Sequence, residues 1–394
     1  MRPMHLQVFL LASAQALFQI VSVLVMTIGG LAGSILAPSP EFATAPIAAM
    51  FLGTAISTVP ASMWMSRAGR KVGFVTGASL GMLGGLLAAA GMMTSSLILL
   101  CAGTFLAGTY QGFAQFYRFA AAEVSDEKFK PRAISLVLAG GVVAALVGPL
   151  LARWGGDLMQ PTYTASFLFL SAASAIAIGV LLGVNVPKTV DTEDDRANER
   201  PLSAIVRQPT YLVALFAAVT GYGVMILAMT ATPLAMTHHH HDLSSTVTVI
   251  QLHVLAMFLP SFVTGSLIAR FGVLTIMQAG IALLVAHVLL ALTGTGFYNF
   301  TAALIMLGVG WNFLYIGGTN LLTRSYSSAE KGKAQATNDL TVFLVGLCAS
   351  LSAGVLQNTI GWQALNLWLL PWLALAAAAI LWLQLSTKRT AARA

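Results

Sequence analysis

Charge is what this sequence has least of: Lys, Arg, Asp and Glu make up 8% of its 394 residues, against about a quarter in soluble proteins. A water-exposed surface cannot be built from that supply. Cysteine is scarce as well. Cys101 and Cys348 lie far apart inside apolar runs, which argues against a disulfide framework and leaves both as small buried hydrophobes. The chain holds no Gly-x-x-x-x-Gly-Lys-Ser/Thr loop and no strand to carry one, so a nucleotide-driven pump is excluded for this chain alone, and no cofactor or enzymatic activity is expected. Carboxylates are also missing where they would matter. Glu41, Glu123, Asp126, Glu127, Asp157, Asp242, Glu330 and Asp339 all map to run ends or loops. A charge at mid-membrane costs at least about 3 kcal/mol, so one kept there has a purpose; its absence argues against a proton-coupled exporter.

What is abundant is apolar: 57% of residues are hydrophobic, in long runs separated by short polar breaks. About 20 mostly apolar residues cross a bilayer, and the runs lack the period-2 alternation of barrel strands. The expected fold is an all-α membrane protein of twelve transmembrane helices. The first six fall near 6–36, 44–65, 73–93, 96–121, 133–154 and 162–185; the second six near 211–236, 244–270, 274–294, 298–325, 336–357 and 362–386. The first run is far longer than the core of a signal peptide and is read as an uncleaved span.

The formal charge of +7 invites a nucleic-acid reading, but the basic residues sit in short loops. With both termini inside, Arg67, Arg70, Lys71, Lys128, Lys130, Arg132, Lys188, Arg207, Arg270, Lys331, Lys333, Lys388 and Arg389 are cytoplasmic, and Arg153 alone falls clearly outside. That is the positive-inside pattern. It predicts a multi-pass protein of the bacterial cytoplasmic (inner) membrane, with lipid and not nucleic acid as its surroundings, acting as a monomer.

The two sets of six repeat. Arg67 and Gly69 recur as Arg270 and Gly272, and Glu127, Lys128 and Lys130 recur as Glu330, Lys331 and Lys333, all at an offset of 203. One offset across separate loops argues for duplicated halves: an N-terminal bundle over 1–185, a solvated linker over 186–210 and a C-terminal bundle over 211–394. The segment Arg67-Ala-Gly69-Arg70-Lys71 resembles the helix 2–3 signature of the major facilitator superfamily, with Ser62 and Ser66 standing where that signature has Gly and Asp. Gly140, Gly141, Gly148 and Pro149 resemble a second superfamily pattern. The resemblance implies a transporter working by alternating access, with Arg67, Gly69, Arg70, Lys71, Arg270 and Gly272 in gating loops. Small residues at such spacing also simply let helices approach.

Two spans carry soft donors. Met225 and Met229, then His253 and Met257, are spaced i, i+4, so each pair shares one helix face. Three thioethers and an imidazole are neutral and suit Cu(I), a soft cation. Equally, such residues are ordinary core methionines and a hydrogen-bonded histidine. The two pairs resemble the Met-x-x-x-Met and His-x-x-x-Met signatures of the CcoA-like copper importers. That resemblance implies import of a copper ion or small copper complex, as cargo, to supply assembly of cbb3-type cytochrome c oxidase. The run His238, His239, His240, His241 is a possible outer metal-capture site or a solvated turn. His287 is expected to be structural, facing lipid or the bundle exterior.

The rival reading is a planar organic cargo, because riboflavin transporters of the same superfamily are similar overall. Tyr110, Gln111, Gln115, Trp311, Asn312 and Tyr315 offer stacking and hydrogen bonds for a flavin; in the copper reading, Gln15 and Gln19 of the first span offer the wall opposite the soft donors. A reading of another class is a non-transporting membrane metal sensor.

Overall fold

A computed structural model describes residues 4–126, 129–186, 200–327 and 329–391. Among them every regular element is helical. The helices are α1 (Met4–Leu36), α2 (Ala45–Ala68), α3 (Arg70–Met93), α4 (Leu97–Ala114), α5 (Tyr117–Glu123), α6 (Lys130–Leu158), α7 (Thr164–Leu182), α8 (Leu202–Val206), α9 (Pro209–His238), α10 (Leu243–Phe258), α11 (Ser261–Phe271), α12 (Val273–Leu292), α13 (Phe297–Leu322), α14 (Lys331–Leu367) and α15 (Leu369–Ala391).

Among the described residues ten stretches are long and apolar enough to cross a membrane, and the pair α10–α11, bent by 40°, makes an eleventh. The last stretch, Lys331–Thr387, has 57 residues, roughly 85 Å if straight and nearly three times the hydrocarbon thickness. Gly361 interrupts it with φ 77 and ψ 173, leaving two arms that are each long enough to cross. Counting both arms gives the expected twelve. A multi-pass membrane protein is the only economical use of these surfaces, since large apolar side chains such as Ile98, Trp154 and Trp368 point outward where water would penalise them.

The chain divides into two compact units, Met1–Lys188 with Ser350–Val355 and Thr189–Ala349 with Leu356–Ala394. In the first, α4 packs on α2 and α3, and α7 on α1 and α3. In the second, α13 packs on α10 and α12, and α15 on α9 and α12. Each of these four adjacencies in one unit has its counterpart in the other. Most of the linker expected at 186–210 lies outside the described residues, as do Glu127, Lys128 and Lys188 and the side chains of Lys130, Arg132, Lys388 and Arg389.

Glycine governs how closely α4 is approached. A Cβ on Gly108 would overlap the Met50 carbonyl oxygen, one on Gly53 the Phe105 carbonyl oxygen, and one on Gly84 would stand 2.6 Å from the Gly103 carbonyl oxygen. Backbone therefore lies directly on backbone, the use of small residues expected between membrane helices. Gly140 does the same on α6, where a Cβ would come 2.6 Å from the Ala12 carbonyl oxygen. Its motif is a packing feature here.

Two buried groups depart from expectation. Asp339, placed at a span end from sequence, lies about 12 Å inside α14 and is only 4% exposed, accepting a bond from Asn338 Nδ2 at 3.0 Å. His287 does not face lipid: it is fully buried, and its Nδ1–H donates to the Ala303 carbonyl at 2.9 Å.

Candidate substrate site

The second unit gathers aromatic side chains from four helices. Trp311 and Tyr315, one turn apart on α13, stack with centroids 4.8 Å apart and planes 13° apart. Phe258 of α10 meets Trp311 edge-on at 5.7 Å. Tyr222 of α9 lies 6.5 Å from Tyr315, with Phe343 of α14 edge-on to Tyr222 at 5.6 Å. Trp311 is buried and its indole N–H has no hydrogen-bond partner among the described residues, while Tyr315 is half-buried. A buried N–H without an acceptor costs about 1–3 kcal/mol, and an incoming carbonyl or ring nitrogen relieves it. The assembly can hold a flat π-system and give it one hydrogen bond. Tyr222, Phe258 and Phe343 were missed from sequence, because aromatic residues scattered over helices give no periodic signal.

Asn312 is not available to a substrate, contrary to expectation. It is 1% exposed and spent on the break between α10 and α11. Its Nδ2 donates to the Met257 carbonyl and to Ser261 Oγ, both at 2.7 Å, and Thr264 Oγ1 stands 2.7 Å from its Oδ1. The break falls at Pro260, which has no N–H to return to the Ala256 carbonyl, and Asn312 caps the neighbouring Met257 carbonyl.

In the first unit Tyr110 is likewise withdrawn. It is fully buried, edge-on to Phe18 at 5.3 Å and filling the hollow beside Gly81, so its role is packing. Gln111 is buried and accepts from Thr54 Oγ1 at 3.3 Å. Gln15 is buried and Gln19 half-buried on α1.

The four soft-donor residues are all buried on α9 and α10: Met225, Met229, His253 and Met257. The His253 ring turns toward α13, and since a carbonyl can only accept, Nδ1–H donates to Leu304 at 2.8 Å. A neutral ring then carries its lone pair on Nε2, which is buried without a partner. Gly308 of α13 presses close, for a Cβ there would lie 2.7 Å from the His253 carbonyl oxygen.

The histidine run does not form one cluster. His238 ends α9 and its ring meets His239 edge-on at 5.3 Å. His240 takes φ 61, and His241 Nε2–H donates to the Thr295 carbonyl at 2.8 Å. Burial and the neighbouring imidazoles hold His239 below the usual histidine range. Among the described residues no three His, Cys, Asp or Glu side chains are placed to hold a metal ion.

The repeat loops match in conformation. Gly69 has φ 92 and ψ 157, Gly272 φ 86 and ψ 149, and each ends one helix while starting the next. Arg70 grips Glu123 through Nε at 3.2 Å and Nη2 at 2.8 Å, and Lys71 donates to the Leu182 carbonyl at 2.6 Å. Ser66, in the aspartate's place, donates to the Met63 carbonyl at 2.8 Å. Arg270 lies over the Phe271 ring at 5.2 Å.

Sequence missed a second ionic clasp. Arg200 donates from N, Nε and Nη2 to the Glu330 carboxylate at 3.0, 2.6 and 2.6 Å, and Lys333 donates to the Arg200 carbonyl. Glu330 is 1% exposed. The Arg200 guanidinium holds its carboxyl well below the usual range. The end of the linker is thus fastened to the turn before α14.

Comparison with known proteins adds the following. A family model described as Major Facilitator Superfamily matches residues 8–272. The riboflavin transporter RfnT of Brucella anthropi is 39% identical over 389 residues, covering 98% of each chain. An uncharacterized MFS-type transporter of Bacillus subtilis, YdeG, is 30% identical over 87% of this chain and 83% of its own. The crystal structure of the human organic anion transporter MFSD10 superposes with a TM-score of 0.72 at 15% identity, covering 96% of this chain and all of that one; that likeness concerns the fold.

Proposed function

Because the chain belongs to the major facilitator superfamily, a family of transporters and not of enzymes, we propose that it moves a planar, hydrogen-bonding organic molecule of riboflavin type across a bacterial cytoplasmic membrane. The observation that carries this reading is the 39% identity over 98% of both chains with a riboflavin transporter. The stacked Trp311–Tyr315 pair and the unpartnered indole N–H supply surfaces that such a molecule needs. The likeness to that relative reverses the order in which sequence alone ranked organic cargo and copper. Membership of a transporter family leaves the sensor reading without support.

Copper is retained as a second reading on one observation. The His253 Nε2 lone pair is buried without a partner, on the helix that also bears Met257 and beside the one that bears Met225 and Met229. A soft cation would use it.

The experiment is uptake into sealed proteoliposomes, with riboflavin and copper measured in parallel. Trp311→Ala is expected to lower riboflavin uptake at least about tenfold, the factor for about 1.4 kcal/mol. The paired change Met229→Ala with Met257→Ala is expected to leave it within about twofold. Copper accumulation lost in His253→Ala, with no riboflavin accumulation by the native chain, would reverse the assignment.

A further inference from the structure

A cavity of about 570 Å³ opens in the second unit at the end of α9 away from the linker. Its lining includes His238 and His239 from the end of α9, and Gln357, Asn358, Trp362 and Gln363 from the two sides of the Gly361 break. Among the described residues no Asp, Glu, Lys or Arg lines it. Gln357 is 6% exposed, and its amide oxygen is buried with no hydrogen-bond donor among the described residues. An acceptor in that state calls for an N–H or O–H from outside the chain. Three side-chain amides and two imidazoles share the wall with Leu234, Leu292, Ile360 and Leu367, so the hollow is mixed polar and apolar and, among the described residues, free of carboxylate and ammonium charge. Such a wall discriminates against ions, whose desolvation it cannot repay, and favours an uncharged molecule rich in donors.

We propose that this cavity is an entry site, distinct from the aromatic cluster, which binds an uncharged heteroaromatic bearing imide N–H and hydroxyl groups before it is translocated. The inference rests on the organic-cargo reading above, with riboflavin as the probe. An N–H of the ligand donates to Gln357 Oε1, while hydroxyl groups bond to Asn358, Gln363 and the imidazoles. The Gly361 break and the end of α9 frame the mouth. The His238–His239 pair thereby acquires a role in organic recognition that the metal-capture expectation did not include.

The test uses the full chain in lipid nanodiscs and in proteoliposomes. Riboflavin binding is followed by quenching of flavin fluorescence, and uptake is measured over a range of riboflavin concentrations. Gln357→Leu keeps the volume of the side chain, and Asn358→Ala alters an exposed residue, so one of the two remains informative if the other fails to insert. The native chain is expected to bind two riboflavin molecules, and either variant is expected to bind one of the two about fivefold more weakly. Each variant is expected to raise KM about fivefold, the factor for losing one neutral hydrogen bond, with maximal uptake unchanged. Trp311→Ala is expected to lower uptake at least about tenfold while retaining the riboflavin bound at the entry site. A native stoichiometry of one, with KM unmoved in both variants, would overturn the entry site and leave the riboflavin assignment standing. Failure of the native chain to bind or transport riboflavin would overturn both.

Discussion

Replacing Asn312 tests how the break between α10 and α11 is held. Asn312→Ala removes the donor from two buried acceptors, the Met257 carbonyl and Ser261 Oγ. Thr264 loses little, because its hydroxyl is also 2.8 Å from the Pro260 carbonyl and its single proton can go there. Two buried groups left short cost about 1–3 kcal/mol each, so the expected destabilisation is about 2–6 kcal/mol. Asn312→Asp separates geometry from bulk. It keeps the oxygen near Thr264 but puts a second oxygen 2.7 Å from the Met257 carbonyl, where two acceptors face each other. A buried carboxylate there would have to hold a proton, and that one proton replaces only one of the two lost bonds. The aspartate variant is therefore expected to be at least as unstable as the alanine variant at pH 7 and to recover partly near pH 5. Thermal unfolding of the purified protein, followed by intrinsic tryptophan fluorescence, reads this directly. Equal melting temperatures for Asn312→Ala and the native chain would refute the assignment of Asn312 as the clamp.

Three further outcomes follow from other parts of the molecule. Gly108→Ala, which drives a methyl group into the Met50 carbonyl, is expected to abolish folded protein in detergent extracts, whereas Gly179→Ala, with nothing within 4 Å, is expected to be neutral by size-exclusion profile. Gly272→Ala meets open space but must hold φ 86 and ψ 149, a region essentially confined to glycine, so it is expected to cost about 1–3 kcal/mol from backbone strain alone, visible as a lowered melting temperature. The Glu330 carboxyl titrates below its unfolded value, so its contribution is complete above the ordinary carboxylate range and is lost only as pH falls through the depressed folded value. Hydrogen-exchange protection factors over residues 200–208, taken against the intrinsic rate at each pH, are therefore expected to be unchanged between pH 7 and 5, and to fall at pH 7 in Glu330→Gln.

The architecture was legible because bilayer crossing imposes a length and a polarity on every span, and both are written along the chain. The offset linking Arg67–Gly69 to Arg270–Gly272 was legible too, and the two glycines share one positive-φ conformation. The site was less so. That Asn312 is consumed by a helix break, that Tyr110 faces inward and that Tyr222 and Phe343 join Trp311 and Tyr315 all depend on helix rotation, which uniformly apolar spans do not record. Arg200 and Glu330 stand 130 residues apart, and no local pattern links them. The histidine run suggested a chelate by composition, but the turn at His240 sends His241 to Thr295.

The glycine contacts on α4 have a consequence for motion. Where main chain rests on main chain, as at Gly53, Gly84 and Gly108, no layer of rotamers lies between the helices to be re-sorted. A slip of one residue would drive a methyl or larger group into a peptide oxygen. Helices α2, α3 and α4 must then travel together as a stiff block, and whatever give this half possesses is confined to seams lined by bulkier groups, such as Phe18 against Tyr110.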